Sequence, residues 1–299
     1  MSDALRYPSR LRTRVPASNR RDPVIWDRSA GGPLSSEEVG RYERDGFILL
    51  HDWIPEREAT EWRREAEALR GDAQQERVYE KSDQTVRTIF KVDRNAELFA
   101  NLARDPRILG IANQLLGGAV YVHQSRINFK APLRGGDFWW HSDFEIWHTE
   151  DGMPAMRALS VAVLLDESSA LNGPILFVPG SHEVFVPCIQ ATPDLNYKED
   201  LRTQDYTAPD RELLGRAIQE RGVVQALGKA GTIIVSDCNV MHGSAANMSP
   251  WPRSILFYCF NSVHNTLSPE PPLGTRPRPD FLANRNFTPI STRDDGPTP

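Results

Sequence analysis

The chain has 299 residues, 39% of them hydrophobic and 25% charged, with a formal net charge of −5. Those values fit one large soluble domain and offer no general attraction to nucleic acid or to an anionic membrane. No apolar run reaches the length of a membrane span, and the N-terminus lacks the apolar core of a secretory leader.

Residues 1–32 read as an arm. Arg6, Arg10, Arg12, Arg14, Arg20 and Arg21 meet one acid, Asp3, before Asp22. No amphipathic apolar face accompanies the charge, so a solvated arm, extended or mobile, fits better than a transit peptide. A single domain is expected over 33–290, with 291–299 as a tail. Ser35 and Glu38 form a capping-box pattern that opens a helix running to Asp45-Gly46. Phe47–Leu50 is a buried strand, Pro55 opens a second helix to about Leu69, and a third spans Glu97 to Leu116. Cys188, Cys238 and Cys259 make no CxxC pair and no even set, which fits reduced thiols in a cytoplasm.

From Gly117-Gly118 the texture changes. Ala119–Phe129, Ala158–Leu165, Ile175–Val178, Thr232–Ser236 and Ile255–Val263 read as short strands punctuated by turn residues. After a helical first third, this predicts a mainly β fold with flanking helices, a jelly-roll (double-stranded β-helix) core. Residues 189–222 interrupt the strands with a polar stretch and a helix near Asp210–Glu220, either a lid over a site or a surface excursion. The proline-rich segment after Pro269 is expected to be extended, crossing the barrel mouth or disordered.

The chemistry concentrates in Asp137–Pro154, DFWWHSDFEIWHTEDGMP. On a β-strand, His141 and Asp143 point the same way, two-thirds of a facial triad for ferrous iron. That spacing alone is weak, with roughly one chance match expected per chain of this composition. His148 and Glu150 repeat it. Support comes from His242, after the strand Thr232–Val235. In a jelly roll, strands distant in sequence pack face to face and could bring His242 to the same ion. Eleven residues on, Arg253 offers a guanidinium fork for the far carboxylate of a chelating keto acid such as 2-oxoglutarate.

Together His141-x-Asp143, His242 and Arg253 resemble the phytanoyl-CoA dioxygenase-like branch of the iron(II)/2-oxoglutarate oxygenases. Within that branch, Phe138–Pro154 resembles the signature of the ectoine hydroxylases. The likeness extends through NGPILFVPGSH (Asn172–His182) and FYCFNSVHN (Phe257–Asn265). Ile146 departs from the threonine expected there; as a strand residue it would face away from His141 and Asp143.

The resemblance implies iron held by His141, Asp143 and His242, and 2-oxoglutarate bound by Arg253 with Lys130 and Ser244. It implies ectoine held by Gln124, Trp147, Phe260 and Arg278. The tryptophan face suits the amidinium, and an arginine suits the carboxylate. O2 would be consumed, with succinate and CO2 released and 5-hydroxyectoine formed for osmotic protection by a cytoplasmic homodimer. Trp139, Trp140 and Phe144 are expected in the core, His148 in the core or behind the metal ligands, and Glu150-Asp151-Gly152 as a turn closing the strand. Hydroxylation of another small metabolite, a non-catalytic ligand-binding barrel and a zinc hydrolase are the other readings of the same residues.

Overall fold

The computed structural model describes residues 6–11, 15–72, 74–189, 195, 197–198, 201, 208–272 and 277–293. Among them, two antiparallel sheets face each other, and helices cover the outside of the larger one. The seven-stranded sheet has the order β2 (Phe47–Leu50), β11 (Ile233–Asp237), β7 (Ala158–Leu164), β13 (Arg253–Ser262), β5 (Val120–Lys130), β4 (Val86–Phe90), β3 (Arg77–Tyr79). The four-stranded sheet runs β10 (Val224–Gln225), β8 (Ile175–Phe177), β12 (His242–Ser244), β6 (Phe138–His141). This is the expected jelly roll.

Strand alternation explains the two layers. Val161, Val163, Ile233, Val235, Leu256 and Tyr258 point outward into a core shared with Trp62, Phe99, Ile108, Ile111 and Leu115 from the helices. The residues between them, Ala162, Leu164, Ile234, Ile255 and Phe257, point inward onto Phe177 and Ile175 of the small sheet. A period of two thus makes each central strand of the large sheet apolar on both faces.

The helices begin and end where local chemistry dictates. Helix α1 (Ser36–Asp45) has the Ser35–Glu38 capping box and stops at Gly46, φ +80°. A Cβ at Gly46 would lie 2.5 Å from the His182 ring, so glycine is required for both conformation and space. Helix α2 covers Glu56–Gly71. The single helix expected over Glu97–Leu116 is two, α4 (Glu97–Leu102) and α5 (Pro106–Leu116), after a short α3 (Val92–Asn95). Pro106 cannot donate to the preceding turn, and Asp105 caps the new helix by accepting from the Arg107 amide.

The arm is packed down where it is described. Ser18–Asn19 (β1) pairs with Val184–Phe185 (β9), and Tyr7, Ser9 and Arg10 are buried. Much of 189–222 lies outside the described residues. Its helix is Arg211–Arg221, capped by Asp210. Residues 277–293 run back along β5, with the Asn284 amide donating to the His123 carbonyl and the Ile290 amide to Val120. No helix among the described residues is long and apolar enough to cross a membrane.

Candidate active site

The His141–Asp143 pair is built differently from the strand expected. β6 ends at His141; Ser142 turns the chain and accepts from the Glu145 amide, capping a helical turn, α6 (Asp143–Ile146). A wide π turn, Trp147–Asp151, continues it and stops at Gly152, φ +81°. So Glu150-Asp151-Gly152 closes a helix rather than a strand. Ser142-x-x-Glu145 is itself a capping-box spacing, the signal that marks this boundary in the sequence. His141 presents its ring from the strand end and Asp143 its carboxylate from the first helical turn.

His242 also arrives by another route. β12 lies beside β6 in the same sheet, and His242 is the direct register partner of His141. Their ring centroids are 4.3 Å apart. Nε2 of His141 lies 3.8 Å from Asp143 Oδ1, and one ligand atom from each of the three residues falls within 4.8 Å of the others. Backbone carbonyls two residues upstream set both rings: His141 Nδ1 is 2.6 Å from the Trp139 oxygen, and His242 Nδ1 is 3.0 Å from that of Val240. With Nδ1–H donating, each Nε2 is left with its lone pair toward Asp143, the orientation a metal requires.

Electrostatics fit the same role. Burial, then the neighbouring His242, pull His141 down to about 4, against Asp143, so the imidazole is neutral at physiological pH. Burial opposes ionisation of Asp143, but His242, Arg126 and His141 outweigh it and hold the carboxyl below its usual range. Two imidazoles and one carboxylate form the donor set preferred by ferrous iron in oxygenases.

Above the triad lies a buried cationic corner. Arg253 is 2% exposed, and its Nε has no hydrogen-bond partner among the described residues. Burial, then Arg87, lower it to about 9, with Asp166 opposing. Lys130 is its register partner on β5. The ammonium donates to the Ala245 carbonyl. Burial, then Arg253 and Arg87, push it down to about 6. Gly173, φ +73°, lets the chain pass here; a Cβ would lie 2.4 Å from the Ala245 oxygen and 3.2 Å from Lys130 Nζ. Buried cations that repel one another, one with an orphaned donor, are arranged for a dianion. Ser244 and Arg253 line the same cavity as the triad, which encloses about 960 Å³ counted to its open mouth.

A model of the phytanoyl-CoA dioxygenase family matches residues 42–255. The chain belongs to the phytanoyl-CoA dioxygenase family. It is 44% identical over 289 residues to an ectoine dioxygenase of Nocardia farcinica, covering 95% of each chain. It is likewise 44% identical to an ectoine dioxygenase of Streptomyces coelicolor, over 95% of this chain and 96% of that one. The crystal structure of EctD from S. alaskensis with 2-oxoglutarate and 5-hydroxyectoine superposes with a TM-score of 0.82 at 39% identity, covering 93% and 94% of the two chains. The same protein with bound Fe gives 0.82 at 37%, covering 96% and 97%.

On this family scaffold the remaining wall can be assigned residue by residue. Gln124, Trp147 and Arg278 line the cavity. Gln124 is already engaged, its Nε2 donating to the Leu282 carbonyl and its Oε1 accepting from Arg126. Arg278 holds Asp151 through two bonds of 2.8 and 2.7 Å. Phe260 does not line the cavity. Alternation along β13 puts it on the face of Leu256 and Tyr258, in the helix-facing core, opposite Val122 across a bulge in β5. The aromatic that β13 gives to the cavity is Phe257.

Arg126 and Ile146 are among the cavity residues that escaped the sequence reading. Arg126 follows Gln124 by two on an alternating strand, which was the signal for it. Its guanidinium lies 4.5 Å from the Phe257 ring centroid and bonds Cys259 Sγ at 3.3 Å. Ile146 lines the cavity, contrary to its expected outward face, because it is helical. Of the predicted core residues, Phe144 is fully buried while Trp139 is 38% exposed. Trp140 is half-buried. His148 is in the core, stacked on Phe144 at 5.3 Å with Nδ1 2.7 Å from the Met153 carbonyl. From the interrupting segment, Tyr197 and Leu201 reach the cavity.

Proposed function

We propose that this chain is an Fe(II)- and 2-oxoglutarate-dependent dioxygenase that hydroxylates ectoine to 5-hydroxyectoine with O2, releasing succinate and CO2. The observation that carries the reading is a His–Asp–His triad beside a buried, partly unpartnered arginine, in a chain superposing on EctD bound to 2-oxoglutarate and 5-hydroxyectoine. Iron with bound 2-oxoglutarate supplies O2 activation and the oxidising power for C–H hydroxylation.

The chain's own residues hold and orient. His141, Asp143 and His242 ligate the metal. Arg253 clamps the far carboxylate of 2-oxoglutarate, with Lys130 adding charge behind it and Ser244 beside it. Trp147 gives its face to the amidinium, Gln124 borders the ring, and Arg126 and Arg278 attract the carboxylate. Burial of these groups excludes water and strengthens each contact. Three buried free thiols suit a reducing cytoplasm; there the enzyme works as a homodimer producing an osmoprotectant.

One observation favours a neighbouring reading, hydroxylation of another small zwitterion: Ile146 puts an apolar branched side chain in the cavity, where a threonine was expected. Enzyme loaded anaerobically with Fe(II), then given 2-oxoglutarate, air and ectoine, decides. Succinate and a product heavier by one oxygen, formed one to one, support the first reading. Succinate without that product supports the second, and no succinate rejects both.

A further inference from the structure

The N-terminal arm delivers a residue to the back of the active site. Arg10 has φ +54°, a left-handed conformation uncommon outside glycine. Its side chain is fully buried. Nε and Nη2 fork onto the two oxygens of Glu145 at 3.0 and 2.7 Å, and Nη1 reaches Glu150 at 2.5 Å. Ser9 adds a hydroxyl to Glu145, and the Arg10 amide is tied to the Cys188 carbonyl at 3.1 Å. One turn earlier in the arm, Tyr7 packs edge-on against Phe144 at 5.3 Å. Apart from the Cys188 carbonyl, these contacts fall on the helical turn Asp143–Asp151.

That turn also carries the site. Asp143, Ile146, Trp147 and Glu150 from it line the cavity. Glu150 lies between two arginines, with Arg10 at 2.5 Å and Arg278 Nε at 3.9 Å. Glu145 and Glu150 are each under 4% exposed, so neither has solvent to fall back on. Among the described residues, Arg278 is the other cation beside Glu150, and it also serves Asp151.

We propose that Arg10 is a positioning residue of the active site: by neutralising Glu145 and Glu150 it fixes the Asp143–Asp151 turn and leaves Arg278 and Trp147 poised toward the substrate. The inference rests on the function proposed above for the identity of the substrate, not for the positioning itself. It assigns the arm to catalysis, although the arm touches no reacting atom.

The test compares Arg10→Met, Arg10→Lys and Arg10→Met/Glu150→Gln with the unaltered enzyme. KM for ectoine is expected to rise about tenfold or more in Arg10→Met, with KM for 2-oxoglutarate within about twofold, because the two carboxylates that lose the cation sit beside Trp147 and Arg278, whereas Arg253 and Lys130 are on other elements. Arg10→Lys restores part of the loss, and removing the Glu150 charge restores more. Hydrogen exchange provides a readout without substrate: amides of 143–152 exchange faster in Arg10→Met while those of β13 do not. A fall in kcat with KM unchanged, or exchange accelerated throughout, overturns the proposal as mere loss of folded protein. If Arg10→Met does not fold, Arg10→Lys and Ser9→Ala carry the same comparison with smaller shifts. If the unaltered enzyme leaves ectoine unreacted, the substrate assignment fails alone, and the exchange pattern still decides the role of Arg10.

Discussion

His141 and His242 are direct cross-strand partners in one sheet, and each ring is oriented by the backbone carbonyl two residues before it. For His141 that carbonyl is in its own strand, and for His242 it is in the turn leading into β12. Asp143 approaches from outside the sheet, on a capped helical turn. The triad is thus preorganised by backbone hydrogen bonds, and its metal should add stability rather than create the fold.

Removing the metal is therefore expected to abolish turnover but leave a folded protein. A ligand at about 100 times its Kd stabilises by about 2.7 kcal/mol, and with an unfolding entropy of about 2.1 cal/mol/K per residue each kcal/mol is worth about 1.6 °C in a chain of 299 residues. Chelation should lower the thermal midpoint by about 4 °C on that basis. Asp143→Ala should start near the chelated value and gain nothing from added Fe(II). A variant that still responds to Fe(II) would place the third ligand elsewhere.

Binding of 2-oxoglutarate should take up a proton at neutral pH. Lys130 sits near 6 in the free protein because burial and the charges of Arg253 and Arg87 disfavour its cation. A dianion beside it reverses the balance and raises that value. The sign follows directly: below about pH 6 the lysine is already charged and affinity is flat, while above it each unit costs up to about tenfold until the raised value is passed. Calorimetry in buffers of different ionisation enthalpy measures the uptake, and Lys130→Met should abolish it.

The outer architecture was legible in the sequence because it depends on local rules. The capping box at Ser35, the inward–outward alternation of Val161 to Leu164, and the glycine stops all act over a few residues. The residues of the triad and of the cationic corner were legible too, since their chemistry restricts the choice of side chain. What could not be read was how segments meet. Whether His242 lies opposite His141 or beside it is decided by strand order, which no single stretch encodes. Phe257 and Phe260 lie on opposite faces of β13 by plain alternation, but FYCF is apolar on both faces, so the pattern does not say which aromatic meets the cavity. The Arg10 cluster joins residues some 135 apart, with no spacing to reveal it. The helical turn after Ser142 was readable from its capping pattern, but the strand-like alternation of His141 and Asp143 outweighed it.

Arg253→Met should separate stability from function. The substitution preserves volume but deletes a buried cation whose Nε is orphaned and which Arg87 repels. Removing such a charge changes stability by only about 1 kcal/mol in either direction. Affinity for 2-oxoglutarate loses a desolvated two-point clamp, worth about 2–5 kcal/mol, or at least about thirtyfold. Denaturant midpoints and 2-oxoglutarate titrations on the same preparation check both. Equal losses in stability and affinity would make Arg253 a structural residue.

Phe257 and Phe260 provide the sharpest contrast, because they lie three residues apart in one strand on opposite faces of its sheet. Phe260 is fully buried among Tyr258, Val122 and the helix-facing core. Phe260→Ala should cost about 3–5 kcal/mol of stability through the cavity it leaves, while KM for ectoine stays unchanged wherever the protein is folded. Phe257 borders the reaction cavity and supports the Arg126 guanidinium at 4.5 Å. Phe257→Ala should therefore raise KM for ectoine, and Phe257→Leu should recover packing without recovering the ring's contact to Arg126. That contact is worth about 0.5–2 kcal/mol, so a two- to thirtyfold rise in KM is expected for the leucine variant. An opposite pattern, with Phe260→Ala defective in KM and Phe257→Ala defective only in stability, would mean that the faces of β13 are exchanged, its register shifted by one.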